Sequence, residues 1–451
     1  MRLRFISLDF TNFLTLLLFV IAVPGTVHAQ DTAFARSVID TLTSEYMGGR
    51  GYVEQGDMRA AQYLAAWYKE IGLASYKPIV TPDGRSVHNY FQDFELPVVT
   101  FPGKMEARIN KKKLVPGKDF ILDPNSSGTS GKMKARIVEM PREALRDLTS
   151  FADFASQKKM QKRAVLIDEK KFANLIDDEM LVSAKGNVFD ARALIIIPAN
   201  NRLTYGVGTQ PLNYPVIIVD SNAVPEDPKK LKLKIESEFV PRYKSQNVIG
   251  YISGRKYPDS VIVFTAHYDH LGRMGSDTYF PGGNDNGSGI ALMLDLARHF
   301  ASYENRPDYS IAFMAFGGEE AGLVGSKYYT ENPLFPLNNI AFLINIDLMG
   351  SGEDGVMVVN GAVFKEEYEN FERINDENEY LPEVKKRGKA ANSDHYFFTE
   401  AGVPAFFLYL MGSYKEYHTI YDKNEMTLKG YHGTFNLLED YTDWLQNRFV
   451  R

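Results

Sequence analysis

Apolar residues recur in this chain in two rhythms. Predominantly apolar runs at 247–252, 261–266, 311–316, 340–346, 355–360 and 405–409 read as strands, and the continuous run 261–266 is of the kind expected for a strand buried on both faces. Between and around them, apolar residues return at helical spacing over 34–42, 57–71, 290–299, 323–330 and 434–449. The second of these helices stops at Gly72, a residue suited to the left-handed position after a helix end. Strands alternating with helices predict a doubly wound α/β fold, with a mostly parallel sheet and helices on both faces.

The texture changes over 97–240. Short β-rich runs at 104–109, 164–167, 193–197 and 215–219 are separated by Pro, Gly, Ser and Lys clusters, with one helical stretch near 143–162. This predicts a smaller β-rich domain, 97–240, inserted between the two parts of a larger one, 30–96 and 241–451. The insertion holds no histidine, so it cannot supply imidazole ligands.

The first residues read as a secretory signal, 1–29. Arg2 and Arg4 precede a short apolar core at 13–23, and Val27-His28-Ala29 offers a small-x-small cleavage site before Gln30. That core is too short for a comfortable membrane span. The expectation is a soluble, exported protein, periplasmic or secreted, without stable membrane insertion. The chain has no cysteine, which excludes both a disulfide framework and a lipid-bearing cysteine. Its formal charge of −6 and the lack of a basic stripe interleaved with aromatics argue against a nucleic-acid partner. The lysine runs 111–113 and 229–234 read as solvated surface, and no obligate protein partner is evident.

Candidate chemistry gathers where the buried runs stop. The 261–266 run gives way to His267 and Asp269, the 311–316 run to Gly317-Gly318-Glu319-Glu320, and the 340–346 run to Asp347. Asp285 sits in a Gly/Asn-rich turn ahead of the 290–299 helix, and His418 lies in a Tyr- and Gly-rich loop beyond the last strand. In open α/β sheets the carboxyl ends of the strands are where sites form. Two histidines and three carboxylates, with spares, are enough for two divalent ions sharing one bridging carboxylate, and Asp285 in its tight turn is the natural bridge. Mixed N/O ligation of this kind suits zinc. Of Glu319 and Glu320, one would ligate and the other serve as general base. Asp269, two residues from His267, is in reach of its second ring nitrogen.

Five motifs carry a family resemblance: H-Y-D-H at His267–His270, G-G-N-D-N-G-S-G at Gly282–Gly289, G-G-E-E-A-G-L-V-G-S at Gly317–Ser326, N-I-D-L-M-G at Asn345–Gly350 and Y-H-T-I-Y-D at Tyr417–Asp422. Gly48-Gly49-Arg50-Gly51 and S-D-H-Y-F-F at Ser393–Phe398 add to it. In these motifs the chain resembles the co-catalytic di-zinc exopeptidases, which include secreted bacterial leucyl aminopeptidases, glutamate carboxypeptidase II and the transferrin receptor. The likeness covers about 34–95 and 241–450. It implies a zinc exopeptidase fold with two zinc ions, His267 and Asp347 on one, Glu320 and His418 on the other, and Asp285 bridging. By the same likeness Glu319 is the general base, Asp269 orients His267, and Tyr417 helps to stabilise the oxyanion. His395 falls near the substrate pocket and receives no role. The insertion looks like a protease-associated domain, by strand texture alone.

The resemblance implies hydrolysis of the N-terminal residue from peptide substrates. The alternatives on the same fold are a carboxypeptidase or dipeptidase, a one-zinc glutaminyl cyclase, and a receptor-like module that has lost its metals. The complete ligand set speaks against the last two.

Overall fold

The computed structural model describes residues 32–80, 86–172, 174 and 179–448. The signal sequence read at 1–29 lies outside them. The larger sheet has eight strands, in the spatial order Val384–Lys386, Val356–Val359, Ala405–Leu410, Ile340–Ile346, Tyr257–His267, Tyr309–Phe316, Glu238–Ile252 and Phe91–Thr100. The middle four are mutually parallel. Glu238–Ile252 runs antiparallel to both of its neighbours, and Val356–Val359 antiparallel to Ala405–Leu410. The sheet is therefore parallel at its centre and mixed at its flanks. The flank has a topological cause, because Phe91–Thr100 and Glu238–Ile252 are the two legs on which the chain leaves this sheet and returns to it.

Side chains alternate across the central strands as the period of two demands. Ile262, Phe264 and Ala266 face the helices Thr32–Leu42, Gly56–Ile71, Ser288–Ala301 and Tyr431–Arg448. Val261 and Val263 face the opposite way, toward Tyr329 of the helix Val324–Glu331 and Phe398 of the helix His395–Glu400. Each such buried side chain contributes roughly 1.5–3 kcal/mol relative to exposure. With both faces covered, the strand ends form a rigid rim.

A second eight-stranded sheet lies between the two legs, in the order Lys112–Leu114, Glu106–Ile109, Lys230–Lys234, Met133–Glu139, Arg163–Asp168, Ala193–Ile197, Val216–Val219 and Phe120–Leu122. One face packs through Ala164, Leu166 and Ile195 onto a layer that also holds Leu271, Met274 and Phe280, from the loop that follows the His267 strand. The other face is covered at Val165, Ile167 and Leu194 by the helices Leu148–Ala155 and Glu179–Lys185. The helical stretch expected at 143–162 is broken into the turns Arg142–Leu145 and Met160–Lys162 around the helix Leu148–Ala155. Asp147 causes the first break: its carboxylate accepts the Ser150 N–H and starts a new helix there.

Candidate metal centre

Three neighbouring parallel strands deliver their carboxyl ends to one place. His267 is the last residue of its strand, Asp347 follows Ile340–Ile346 directly, and Glu319 and Glu320 follow Tyr309–Phe316 across Gly317-Gly318. Gly318, at φ +70°, lets the chain turn there without the strain a side chain would bring. A hydrogen-bonded chain then fixes Asp347: Thr265 Oγ1 donates to Asn345 Oδ1 (2.7 Å), Asn345 Nδ2 to Ser393 Oγ (2.8 Å), and Ser393 Oγ to Asp347 Oδ2 (3.2 Å).

Asp285 comes from the turn Gly283–Gly287 and is held through its backbone by two residues outside the sheet. The fully buried Arg50 guanidinium donates to the carbonyls of Tyr268, Leu42, Pro281, Gly282 and Asp285 at 2.6–3.2 Å. The Asp422 carboxylate accepts the N–H groups of Asn284 (2.8 Å) and Asp285 (3.1 Å). A Cβ on Gly282 would lie 2.4 Å from the His270 ring and 2.5 Å from the Arg50 guanidinium, so the turn closes only around glycine. His418 sits on a loop in the left-handed region, φ 56°, with the Tyr417 ring stacked on its own at 3.9 Å.

The structure brings all of the proposed ligands together. Asp285 Oδ1 is 3.1 Å from His267 Nε2, while Asp285 Oδ2 is 3.1 Å from His418 Nε2. On the first side Asp347 Oδ1 lies 3.4 Å from His267 Nε2, and on the second Glu320 Oε2 lies 3.2 Å from His418 Nε2. Ligand atoms about 2.0–2.1 Å from a tetrahedral zinc stand about 3.3 Å from one another, so these spacings fit the ion. Asp347 Oδ1 is buried without a hydrogen-bond partner, which also fits an atom kept for a cation.

The imidazoles are set for the same purpose. Nδ1 of His267 lies 3.2 Å from the Asp269 carbonyl, and Nδ1 of His418 lies 2.9 Å from the Tyr205 carbonyl. A carbonyl only accepts, so both rings carry a proton on Nδ1 and turn Nε2 to the cavity, where a metal would displace any proton it holds. Asp269 thus contacts His267 mainly through its backbone oxygen; its carboxylate is 3.9 Å from that ring nitrogen. The carboxylate instead accepts the Glu319 N–H and the Tyr52 hydroxyl, each at 3.1 Å, and so positions Glu319.

Electrostatics show how strongly the cavity calls for positive charge. Burial disfavours charge on His418, yet Glu320 and Asp285 outweigh it and push the ring up to about 11. His267 is likewise raised against its burial by Glu319 and Asp347. Glu319 is raised by burial first, with Asp394, Glu320 and Asp347 adding to it and His267 opposing. Glu320 goes the other way: despite burial, His418 and His270 hold it down at about 2. The two adjacent glutamates are therefore electrostatically distinct.

The cavity measures about 230 Å³ and is lined by these groups together with Leu348, Arg387, Asn392, Phe407, Tyr409 and Tyr417. Tyr417 is 46 % exposed at the mouth. His395 is buried beside Phe407, both ring nitrogens without a hydrogen-bond partner, and burial lowers it to about 4. Three functional residues were not singled out from the sequence. His270 Nδ1 meets Glu320 Oε1 at 2.7 Å and so steadies the second-side ligand. Arg50 and Asp422 hold the Asp285 turn. The first signal for each was its place inside a quoted motif, and the cross-chain contact that gives it work is invisible in one sequence. Tyr205, in the insertion, had no signal.

Strand ends carrying histidine and carboxylates around a shared aspartate form, in an α/β fold, a cluster able to hold divalent metal ions. Residues 247–437 match the model of Peptidase family M28. Aminopeptidase YwaD of Bacillus subtilis is 31% identical over 236 residues, covering 48% of this chain and 48% of that protein. A probable zinc metalloprotease of Pyricularia oryzae is 39% identical over 110 residues, 24% of this chain and 22% of that protein. The chain thus spans about half or less of the length of these curated relatives. Among solved structures, a Peptidase M28 precursor from Shewanella amazonensis superposes with a TM-score of 0.69 at 17% identity, covering 94% of this chain and 95% of that one. The zinc aminopeptidase BSAP from Bacillus subtilis gives 0.65 at 20% identity, with 92% and 94% covered. At those identities the structural likeness establishes the fold.

Proposed function

We propose that the protein is a zinc-dependent aminopeptidase with two zinc ions, removing the N-terminal residue of peptides. The observation that carries this is the two-sided Asp285, whose oxygens each face a different imidazole Nε2 at 3.1 Å. His267 and Asp347 would hold one ion, Glu320 and His418 the other, and Asp285 both. Zinc so bound supplies Lewis acidity toward a carbonyl oxygen and toward water. Glu319, kept within the cavity by Asp269 and raised by burial, takes the proton from the attacking water and returns it to the nitrogen of the leaving amine. Tyr417 offers a hydroxyl at the mouth for the developing oxyanion, an interaction of roughly 3–4 kcal/mol when well placed. The carboxylate-rich floor suits a free α-ammonium group, and a blocked amine would lose that attraction.

Residues 97–240 form the inserted domain in this reading, and they have a part in the site: Tyr205 accepts the His418 Nδ1 proton, and its N–H donates to the His418 carbonyl at 3.0 Å. A leader at 1–29 would take the enzyme out of the cytoplasm; among the described residues no helix is long and apolar enough to cross a membrane. The test is turnover of aminoacyl and dipeptide substrates with free and acetylated amino termini, with and without a chelator. Cleavage confined to free amines and abolished by the chelator is expected. Blocked peptides cut from the carboxyl end would remove the aminopeptidase assignment and leave the zinc hydrolase.

A further inference from the structure

A broad concavity on the second sheet shares no lining residue with the metal centre and has the opposite charge. It measures about 1610 Å³ and lies over the strands Met133–Glu139 and Lys230–Lys234 of the second sheet. Ten Lys and Arg side chains line it against one carboxylate, Asp227, in a chain whose net charge is −6. Its position follows from the way the sheet is covered. The helices Leu148–Ala155 and Glu179–Lys185 pack on Val165, Ile167, Leu194 and Val216, at the other end of the same face. Over Met133–Glu139, Lys230–Lys234 and Glu106–Ile109 no helix follows, and the outward positions Lys134, Arg136, Lys230, Lys232 and Arg108 are exposed, while Ala135, Leu231 and Ile109 point into the core.

The strand register makes this face costly when empty. Lys230 stands directly opposite Arg136, and Lys232 stands between Lys134 on one side and Arg108 on the other. Like charges opposite one another destabilise a sheet, and here three such pairs adjoin. Lys159, Lys162 and Arg163 close one wall, and Arg192 joins them at the start of its strand. Asp227 is bound to Lys229, and Arg163 donates to the neutral Gln157, so most of the lining charge faces solvent without an anion. The runs 111–113 and 229–234, read from sequence as ordinary solvated surface, are thus gathered into one groove.

We propose that this groove binds a linear acidic polysaccharide, docking the protein through a face turned away from the metal centre. Cationic side chains rooted about 4.8 Å apart across the strands and about 6.6 Å apart along them offer repeated positive charge to a polymer with regularly repeated anions. The side chains choose among polyanions. Among the described residues no aromatic lines the groove, so they offer no platform for stacking the bases of a single-stranded nucleic acid. Its apolar lining is only Ala135, Leu231 and Pro225, with nothing to insert beneath lipid headgroups. Seven of the ten cations are lysines, compact charges on flexible stems that can follow the anions of a polymer without imposing one planar geometry.

The test is binding of the full zinc-loaded protein to a polyuronate, with a single-stranded oligonucleotide and anionic phospholipid vesicles as comparison probes, at low and at high salt. Saturable polyuronate binding that is tighter than either comparison and weakens steeply with salt is expected. Lys232→Glu should weaken it about tenfold or more, while turning two like-charge pairs into attractive ones, so that its thermal stability is kept or raised. Lys162→Glu, on the wall, should weaken binding similarly without that gain. Cleavage of a small aminoacyl substrate should be unchanged in both. No polyuronate binding at low salt, binding insensitive to both variants, or tighter binding to oligonucleotide or vesicles would overturn the proposal.

Discussion

His267 and His418 face the same aspartate from opposite sides, yet the chain builds the two sides by different means. His267 ends a central strand, is 1 % exposed, and stands beside Asp347 from the adjacent parallel strand. The geometry of that side is inherited from the sheet. His418 rides on a loop with a left-handed backbone, and its ring is fixed by a paired backbone contact with Tyr205, 213 residues earlier in the chain. Tyr205 is itself stacked on Phe280, 4.6 Å between centroids. One side is therefore rigid by construction, and the other is completed by a second structural unit. Coupling between the sides passes through Asp285, which Arg50 and Asp422 hold from behind.

The largest effect should come from removing what the two sides share. In the proposed centre Asp285→Ala would take a ligand from both ions, so zinc content should drop well below two per chain and turnover by more than about 100-fold, more than the loss of a residue that only supports a ligand. Metal analysis with a kinetic assay checks this; retention of both metals and of activity would reduce Asp285 to a turn residue.

Next in size is the contrast between the adjacent glutamates. Glu319→Gln should keep both zincs and bind substrate while turnover falls roughly 10²–10⁴-fold, because an amide cannot accept the proton from water. Glu320→Gln should loosen zinc on the His418 side, with partial recovery in excess zinc. If instead Glu319→Gln loses metal and Glu320→Gln keeps it, the two roles are reversed.

Tyr205→Pro sharpens the comparison itself. It removes both the N–H that donates to the His418 carbonyl and the ring stacked on Phe280, and leaves every proposed ligand in place, so zinc affinity should fall about 10–100-fold on the His418 side only. Competition with a graded chelator would show one weakened and one unchanged ion; equal weakening of both would mean that the insertion supports the whole site.

The smallest effect concerns the scaffold under the His267 side. Asp57, buried and bonded to the hydroxyls of Tyr243 (2.7 Å) and Ser245 (2.9 Å), is raised by burial to about 6. The folded state then holds a proton more tightly than the unfolded one between about pH 4 and 6. The stability this gives is present below pH 4 and lost as pH rises through 6, in total on the order of 2–3 kcal/mol. In Asp57→Asn that slope should vanish, so the variant gains on the wild type between pH 4 and 7 in denaturant melts. A gap that is constant with pH would count against a raised Asp57.

Much of this was legible in the chain because buried strands announce themselves. The 340–346 run became the strand Ile340–Ile346, and Gly72 ends its helix at φ 86° with its N–H on the Tyr68 and Lys69 carbonyls. His267, Asp347 and the Glu319-Glu320 pair stood out because they follow buried runs, Asp285 because it sits in a glycine turn, and His418 through the Y-H-T-I-Y-D motif. The strand Phe91–Thr100 was missed: it alternates polar and apolar residues and contains Pro97, as an edge position tolerates. The helix Lys365–Asn378 was missed because charge dominates it, leaving Tyr368, Phe371 and Ile374 as its only buried apolar residues. The Tyr205 contact, the His270–Glu320 pair and the cationic groove depend on which distant segments pair, information that a single sequence does not display.

In the proposed centre one aspartate joins two ion sites of unequal construction. Titrating zinc into the metal-free protein, while following bound metal and turnover together, tests it most directly. The account predicts two zinc ions per chain, the tighter one on the His267 side, with a His418→Ala variant retaining the tight site and losing the weak one. A single zinc per chain in the fully active wild-type enzyme would contradict it.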